Sequence, residues 1–162
     1  MQRFSLRFAL ALLALVVGLS AATVWYLKRP AFSRATEEEN IAELVFRHQI
    51  EEERKAEGDS IFFLARPADT DPSDSFMRRF EGMRLVRRFS QSKKVTDGVK
   101  DKETGERGII LDVHRIVWLN NAEVKVGVGT YVWGGGQSGS VCRVVREGGR
   151  WAVKECELTM IT

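Results

Sequence analysis

The sequence contains few of the side chains that build common catalytic and metal sites: its 162 residues include two cysteines and two histidines. Two cysteines cannot form a zinc site by themselves, and no histidine lies at ligand spacing from them. The motifs His-Glu-x-x-His and Gly-x-Ser-x-Gly, which carry metalloprotease and hydrolase chemistry, are both absent. The sequence therefore predicts no cofactor and no metal, and it offers no signature of catalysis.

Glycine-rich segments are present, but they lack the residues that bind phosphates. Residues 134–139 fall between two predicted strands, not before a helix, and carry no Lys-Ser/Thr pair. Gly127 and Gly129 do not extend to a dinucleotide-binding fingerprint. They lie on one side of a predicted strand, where missing side chains commonly mark a bend. We therefore interpret residues 134–139 as a hairpin loop and expect a curved sheet.

Charge is missing from residues 8–27, which are flanked by basic residues on both sides. A helix of that length spans about 30 Å, the thickness of a bilayer's hydrocarbon core. Two interpretations stay open. An uncleaved signal anchor is favoured because the apolar run continues to Leu27, past the small residues Ser20 to Ala22. The alternative is a signal peptide that is cleaved after Ala22.

The predicted membrane segment sets the expected domain organisation. We expect a short tail at residues 1–7, a transmembrane helix at 8–27, a juxtamembrane linker at 28–35 and a soluble domain at 36–162. The flanking basic residues barely discriminate the two orientations, and the short tail favours a cytoplasmic N-terminus. The prediction is a single-pass protein of the inner or cytoplasmic membrane with an extracytoplasmic domain.

The net positive charge belongs to the first 34 residues, which hold five basic side chains and no acidic one. The remaining residues carry 20 basic and 22 acidic side chains. The soluble domain thus makes no general electrostatic case for nucleic acid as a partner.

Hydrophobic periodicity predicts helices first and strands last. Thr36 and Glu39 form a capping-box signature, and the helix that follows ends at Gly58. Asp71 and Pro72 have the N-cap and N1 pattern of a second, short helix. Strands are then expected at residues 61–65, 86–90, 109–119, 122–133, 140–146 and 151–158. The predicted fold class is α+β, with two helices packed on a curved antiparallel sheet of four to six strands after the transmembrane helix.

Several segments resemble a group of uncharacterised bacterial membrane-anchored proteins. They are residues 71–76, 79–80, 101–108, 116–118, 124–131 and 149–153. The plan of helices followed by strands is similar to the cone-shaped, cystatin-like fold shared by nuclear transport factor 2 and the SnoaL-like proteins. The resemblance implies a fold and no activity. The layout is also similar to the assembly-factor subunit of type IV secretion systems, as an architectural analogy only.

Cys142 and Cys156 fall in the last two predicted strands, and their pairing depends on the register of the hairpin. A two-residue turn at Gly148 and Gly149 would place the cysteines on opposite sides of the sheet. A three-residue loop would place them face to face. Two buried free thiols and a disulfide both stay open.

Three residues are candidates for acid–base chemistry. Asp112 and His114 lie two apart on a predicted strand, so both point to one face, opposite to Val113. A carboxylate that orients an imidazole is how general bases are built. We expect the helices to cover the Val113 side, which leaves the pair facing solvent. His48 could line a pocket of the cone, although a histidine on an apolar helix face is usually a core residue.

A basic cluster precedes the meander and is opposed by Glu81 alone. It comprises Arg78, Arg79, Arg84, Arg87, Arg88, Lys93 and Lys94. Such a cluster could bind an anionic membrane surface or a protein partner. The competing interpretation is an ordinary solvated face paired with the acidic residues 51–53. Arg84, Arg87, Arg88, Lys93 and Lys94 are our candidates for surface interaction.

The sequence favours a membrane-anchored, non-catalytic domain that works by interaction or assembly, with a protein partner or as a homo-oligomer. The alternative is an enzyme of the hydrolase or isomerase kind, or a small-molecule binder, that uses the pocket of the cone. The number of ionisable side chains in that pocket discriminates the two functions.

Overall fold

The computed structural model describes residues 33–132 and 136–161, in which strands predominate. Two α-helices are present in these ranges, α1 (Arg34–Glu57) and α2 (Asp74–Met77). The strands are β1 (Ile61–Ala65), β2 (Val86–Arg88), β3 (Ser92–Val95), β4 (Gly98–Asp101), β5 (Arg107–Asn120), β6 (Glu123–Tyr131), β7 (Gln137–Glu147) and β8 (Arg150–Ile161). The four predicted meander strands are confirmed as β5 to β8, with boundaries that differ by a few residues.

All eight strands belong to one mixed sheet in the order β2-β1-β5-β6-β7-β8, and the β3–β4 hairpin joins it through the start of β5. β1 runs parallel to both β2 and β5, and the remaining pairs are antiparallel. The predicted fold class is therefore wrong in the number of strands and in their pairing. The sheet is mixed and has eight strands, whereas the prediction was an antiparallel sheet of four to six strands.

The parallel position of β1 follows from its burial. All five of its residues are buried, because Phe62 and Leu64 pack on one face of the sheet and Ile61, Phe63 and Ala65 pack on the other. A continuous apolar run is typical of a strand that is covered on both faces, and such strands are usually parallel.

α1 covers one face of the sheet, which we call the helix face. The helix ends before Gly58, whose φ of 75° lies in the left-handed region that glycine adopts without strain. The N–H of Gly58 donates to the carbonyl of Arg54 at 3.1 Å. Its apolar side is fully buried against alternate residues of β5, β6 and β7. Those contacts involve Ile41, Val45, Phe46, Leu111, Val113, Val124, Val126, Cys142 and Val144.

The N-terminal turns of α1 are hydrogen-bonded to β5 and β8 through two indole groups. Trp118 Nε1 donates to Glu38 Oε1 at 2.9 Å, and Trp151 Nε1 donates to Glu37 Oε2. The two rings meet edge to face with centroids 5.7 Å apart, and Arg146 pairs with Glu37 at 2.8 Å. This contact joins the start of the described chain to its last strand.

α2 begins later than predicted. Its N-cap is Ser73, whose hydroxyl accepts from the N–H of Phe76 at 3.2 Å. Asp71, the predicted N-cap, instead accepts from the N–H of Ser90 at 2.7 Å. Phe76, in α2, and Phe80, shortly after it, are buried beside Phe46.

The prediction of a membrane-spanning architecture is corrected. Within residues 33–132 and 136–161, no helix combines the length and the apolar character needed to cross a bilayer. The predicted transmembrane helix, residues 8–27, lies outside the described residues. The single-pass topology and the membrane location are therefore not supported.

Candidate functional site

Asp112 and His114 lie on the face of the sheet opposite to the helix face, next to each other on β5. Asp112 Oδ2 is 3.2 Å from His114 Nδ1. The pairing between β5 and β6 shifts between Val113 and Arg115, which makes His114 a bulged residue. Bulges commonly re-aim a side chain, and here the bulge leaves His114 within reach of the carboxylate.

Two glycines of β6 make room for the pair. A Cβ at Gly127 would lie 2.6 Å from His114 Nε2, and one at Gly129 would lie 3.7 Å from the Cβ of Asp112. Any side chain at position 127 would therefore displace the imidazole. The alternate glycines of β6, interpreted from the sequence as a bend, serve here to let a side chain approach the backbone closely.

Asp112 is the more buried member of the pair, with its side chain 29% exposed against 48% for His114. Burial raises the pKa of Asp112, and His114 and Arg66 oppose this increase while Asp69 adds to it. Asp112 Oδ1 is buried and has no hydrogen-bond partner. A partly desolvated carboxylate behind an exposed imidazole can orient a general base.

The surroundings of the pair do not complete a catalytic arrangement. No serine, threonine or cysteine hydroxyl or thiol of the described residues hydrogen-bonds to His114. No group of three or more potential metal ligands occurs in the described part of the chain. The adjacent cleft, lined by His114, Arg66 and Glu38, has a volume of only about 210 Å³. Typical small-molecule sites are larger, at roughly 300–1,000 Å³.

His48 is not brought together with Asp112 and His114. It is half-buried on α1, which packs on the helix face, whereas the pair lies on the opposite face. The helix face between α1 and the sheet is filled by phenylalanine, valine, leucine and isoleucine. Ionisable side chains on this face, Glu37, Glu38 and Arg146, lie at or beside the start of α1 and are already paired with each other or with Trp118 and Trp151.

The basic cluster does not form a single surface. Arg87 and Arg88 are neighbours on β2 and point to opposite faces of the sheet, since side chains alternate along a strand. Arg88 pairs with Asp74 at 2.7 Å, and Lys94 pairs with Asp69 at 3.2 Å.

Other members of the basic cluster are also held within the fold. Arg79 pairs with Glu43 at 3.1 Å, and Arg87 donates to the carbonyl of Arg84 at 2.6 Å. The acidic residues 51 and 52, expected to neutralise the cluster, pair with Lys55 instead. The charge available to an anionic surface is therefore smaller than the sequence indicates.

Cys142 and Cys156 form a disulfide between β7 and β8. The turn at Gly148 and Gly149 has two residues, the geometry expected to separate the cysteines. The register nevertheless shifts between Arg143 and Val144, so that Lys154 is an extra residue on β8. One inserted residue reverses the side to which the following side chains point, and this brings Cys156 opposite Cys142.

β8 ends the sheet, and sequence reasoning missed it as a functional surface. It pairs with β7 on one side, and no described residue pairs with its other side. Its last residues carry apolar side chains that are far from buried: Leu158 is 59% exposed, Met160 47% and Ile161 72%. The predicted strand stopped at residue 158. The apolar residues Met160 and Ile161, which follow Leu158 closely, were the signal in the sequence that the strand continues.

Comparisons with models of protein families, with curated proteins and with solved structures found no match. The resemblances quoted from the sequence therefore stay predictions.

Proposed function

We propose that the described domain is a non-catalytic interaction module that binds another polypeptide, in extended form, along the outer edge of β8. The observation that carries the proposal is that no described residue pairs with the outer side of this 12-residue strand, whose apolar end is exposed. An open strand edge presents a row of backbone N–H and C=O groups that can pair with an added strand.

The opposite end of the sheet supports this choice by contrast. β2, the terminal strand on that side, has three residues, and Arg87 and Arg88 both donate to neighbouring groups of the fold. Short, charged edge strands are a common protection against unwanted pairing. β8 has 12 residues and no proline, and between its extra residues Lys154 and Thr159 it keeps a regularly paired stretch, so it is the better template for a partner.

The basic cluster and the filled helix face also favour a polypeptide partner over nucleic acid or a small molecule. Because the arginines on β2 and the lysine at position 94 are engaged within the fold, nucleic acid is not the proposed partner. Because the helix face is packed with apolar side chains, a small-molecule pocket there is not proposed either.

Selection of random nine-residue peptides on the full-length chain tests the proposal. Bound peptides should slow amide hydrogen exchange within residues 155–161. The double substitution L158K/M160K should weaken binding at least about tenfold, since lysine on an edge opposes strand addition. The matched control V117K/L119K changes two exposed apolar residues of β5, which are 36% and 50% exposed, and should bind as the wild type does. Selected peptides that protect another surface, or equal binding by both variants, would contradict the proposal.

A second candidate function, general-base catalysis, is favoured by one observation, the 3.2 Å contact between Asp112 and His114. Substitution of a general base lowers activity by roughly 10²–10⁴-fold. The interaction function instead predicts that H114A binds selected peptides as the wild type does.

A further inference from the structure

The exposed residues of β8 are sorted by charge between the two faces of the sheet. Lys154 and Thr159 are extra residues in the pairing with β7, and the stretch between them, from Glu155 to Leu158, pairs regularly. Cys156 faces Cys142 on the helix face, and Leu158 follows on the same side. Glu155 and Glu157 therefore project from the opposite face.

Both carboxylates remain available for a partner. The side chain of Glu155 is 57% exposed, and its nearest cation, Arg143 Nη1, is 3.9 Å away. Arg143 is already held by Glu123 at 2.7 Å. Glu157 is exposed and makes no ion pair with the described residues.

These acids argue against a second copy of the chain as the occupant. Antiparallel pairing of two β8 strands about Cys156 would place Glu155 of each copy opposite Glu157 of the other. Pairing about Glu157 would oppose that residue to itself. Like charges directly opposite each other destabilise a strand pair, and the extra residue at Thr159 interrupts registers centred farther along.

The disulfide fixes the edge before a partner arrives. Cys142 is fully buried in the core, and its bond to Cys156 fastens β8 within the acidic stretch. A binding surface that is already ordered loses less conformational entropy on association.

We propose that β8 selects a partner strand in which basic and apolar residues alternate. Lysine or arginine at every second position would meet Glu155 and Glu157 on one face, and the apolar positions between them would meet Leu158 on the other. The inference rests on the proposed function and names the chemistry of its partner.

Three synthetic peptides test it on the full-length, oxidised chain: an alternating Lys/Val nine-mer, the Glu/Val nine-mer of the same pattern, and a Lys/Val peptide of identical composition with the residues in blocks. The alternating Lys/Val peptide should bind at least about tenfold more tightly than the other two, because its charges and its strand period both match. The substitution E155K/E157K should reverse the preference toward the Glu/Val peptide. A control substitution E103K/E106K, in the exposed turn between β4 and β5, should leave the preference unchanged.

The outcomes separate the two proposals. Equal affinities for the Lys/Val and Glu/Val peptides, with protection of β8 amides, overturn the charge preference and leave edge binding intact. If neither these peptides nor the selected ones protect β8, both proposals fail. A concentration-dependent dimer in light scattering that L158K/M160K abolishes would show that a second copy occupies the edge.

Discussion

At the scale of single residues, Asp112 couples stability to pH. Burial raises its pKa, so the folded state binds the proton more tightly than the unfolded state does. Its contribution to stability is present in full below the unfolded pKa of about 3.9 and is lost as the pH rises through the higher folded pKa. The ionised carboxylate therefore weakens the fold at neutral pH.

The substitution Asp112→Asn should raise the free energy of unfolding at pH 7 by up to about 1 kcal/mol, because a neutral amide costs less to bury than a carboxylate. Its oxygen can still accept a hydrogen bond from His114. The difference from the wild type should shrink toward pH 3 in urea melts. Asp59→Asn, at a carboxylate that is 71% exposed, is the matched control and should be nearly neutral. A variant that is less stable at pH 7 would show that the hydrogen bond to His114 outweighs the burial of charge.

At the scale of secondary-structure elements, the disulfide decides how firmly β8 is held. It closes a loop of 14 residues, and the chain-entropy relation assigns a loop of that size about 3 kcal/mol. The double substitution C142A/C156A should lower the free energy of unfolding by about 2–4 kcal/mol and speed amide exchange in the second half of β8. Reduction of the wild type should give a similar loss and should not affect the double variant. A loss under about 1 kcal/mol would mean that pairing with β7 holds the strand unaided.

The strands β6 and β1 show how much of this fold the sequence predicts. The alternation of Val124, Val126 and Val128 identified β6 because one face of that strand is buried and the period of two leaves no other solution. The apolar run at residues 61–65 identified a strand but not its neighbours, since a strand that is apolar on both faces fits several positions in a sheet. Its parallel pairing depends on contacts with residues 108–112, more than 40 positions away.

The candidate site was predicted in part. The shared face of Asp112 and His114 followed from strand periodicity, whereas the bulge at His114 and the approach to Gly127 depend on the pairing with β6. The register of the cysteines stayed open for a similar reason. A single inserted residue, Lys154, decides which way Cys156 points, and no local composition marks that insertion.

At the scale of the whole molecule, the contact of Glu37 with Trp151 has a consequence for the order in which the chain folds. The hydrogen bond joins residues 114 positions apart, whereas the hairpins of β5 to β8 join neighbours along the chain. Closing a long loop costs more entropy than closing a short one, so the meander should be formed in the folding transition state before α1 docks on it. Trp151→Phe keeps an aromatic ring at this position and removes the indole N–H donor. It should therefore speed unfolding several-fold and leave the folding rate nearly unchanged in stopped-flow measurements. A slower folding rate with an unchanged unfolding rate would contradict this order. It would show that α1 is already docked in the transition state and that its first turns belong to the folding nucleus.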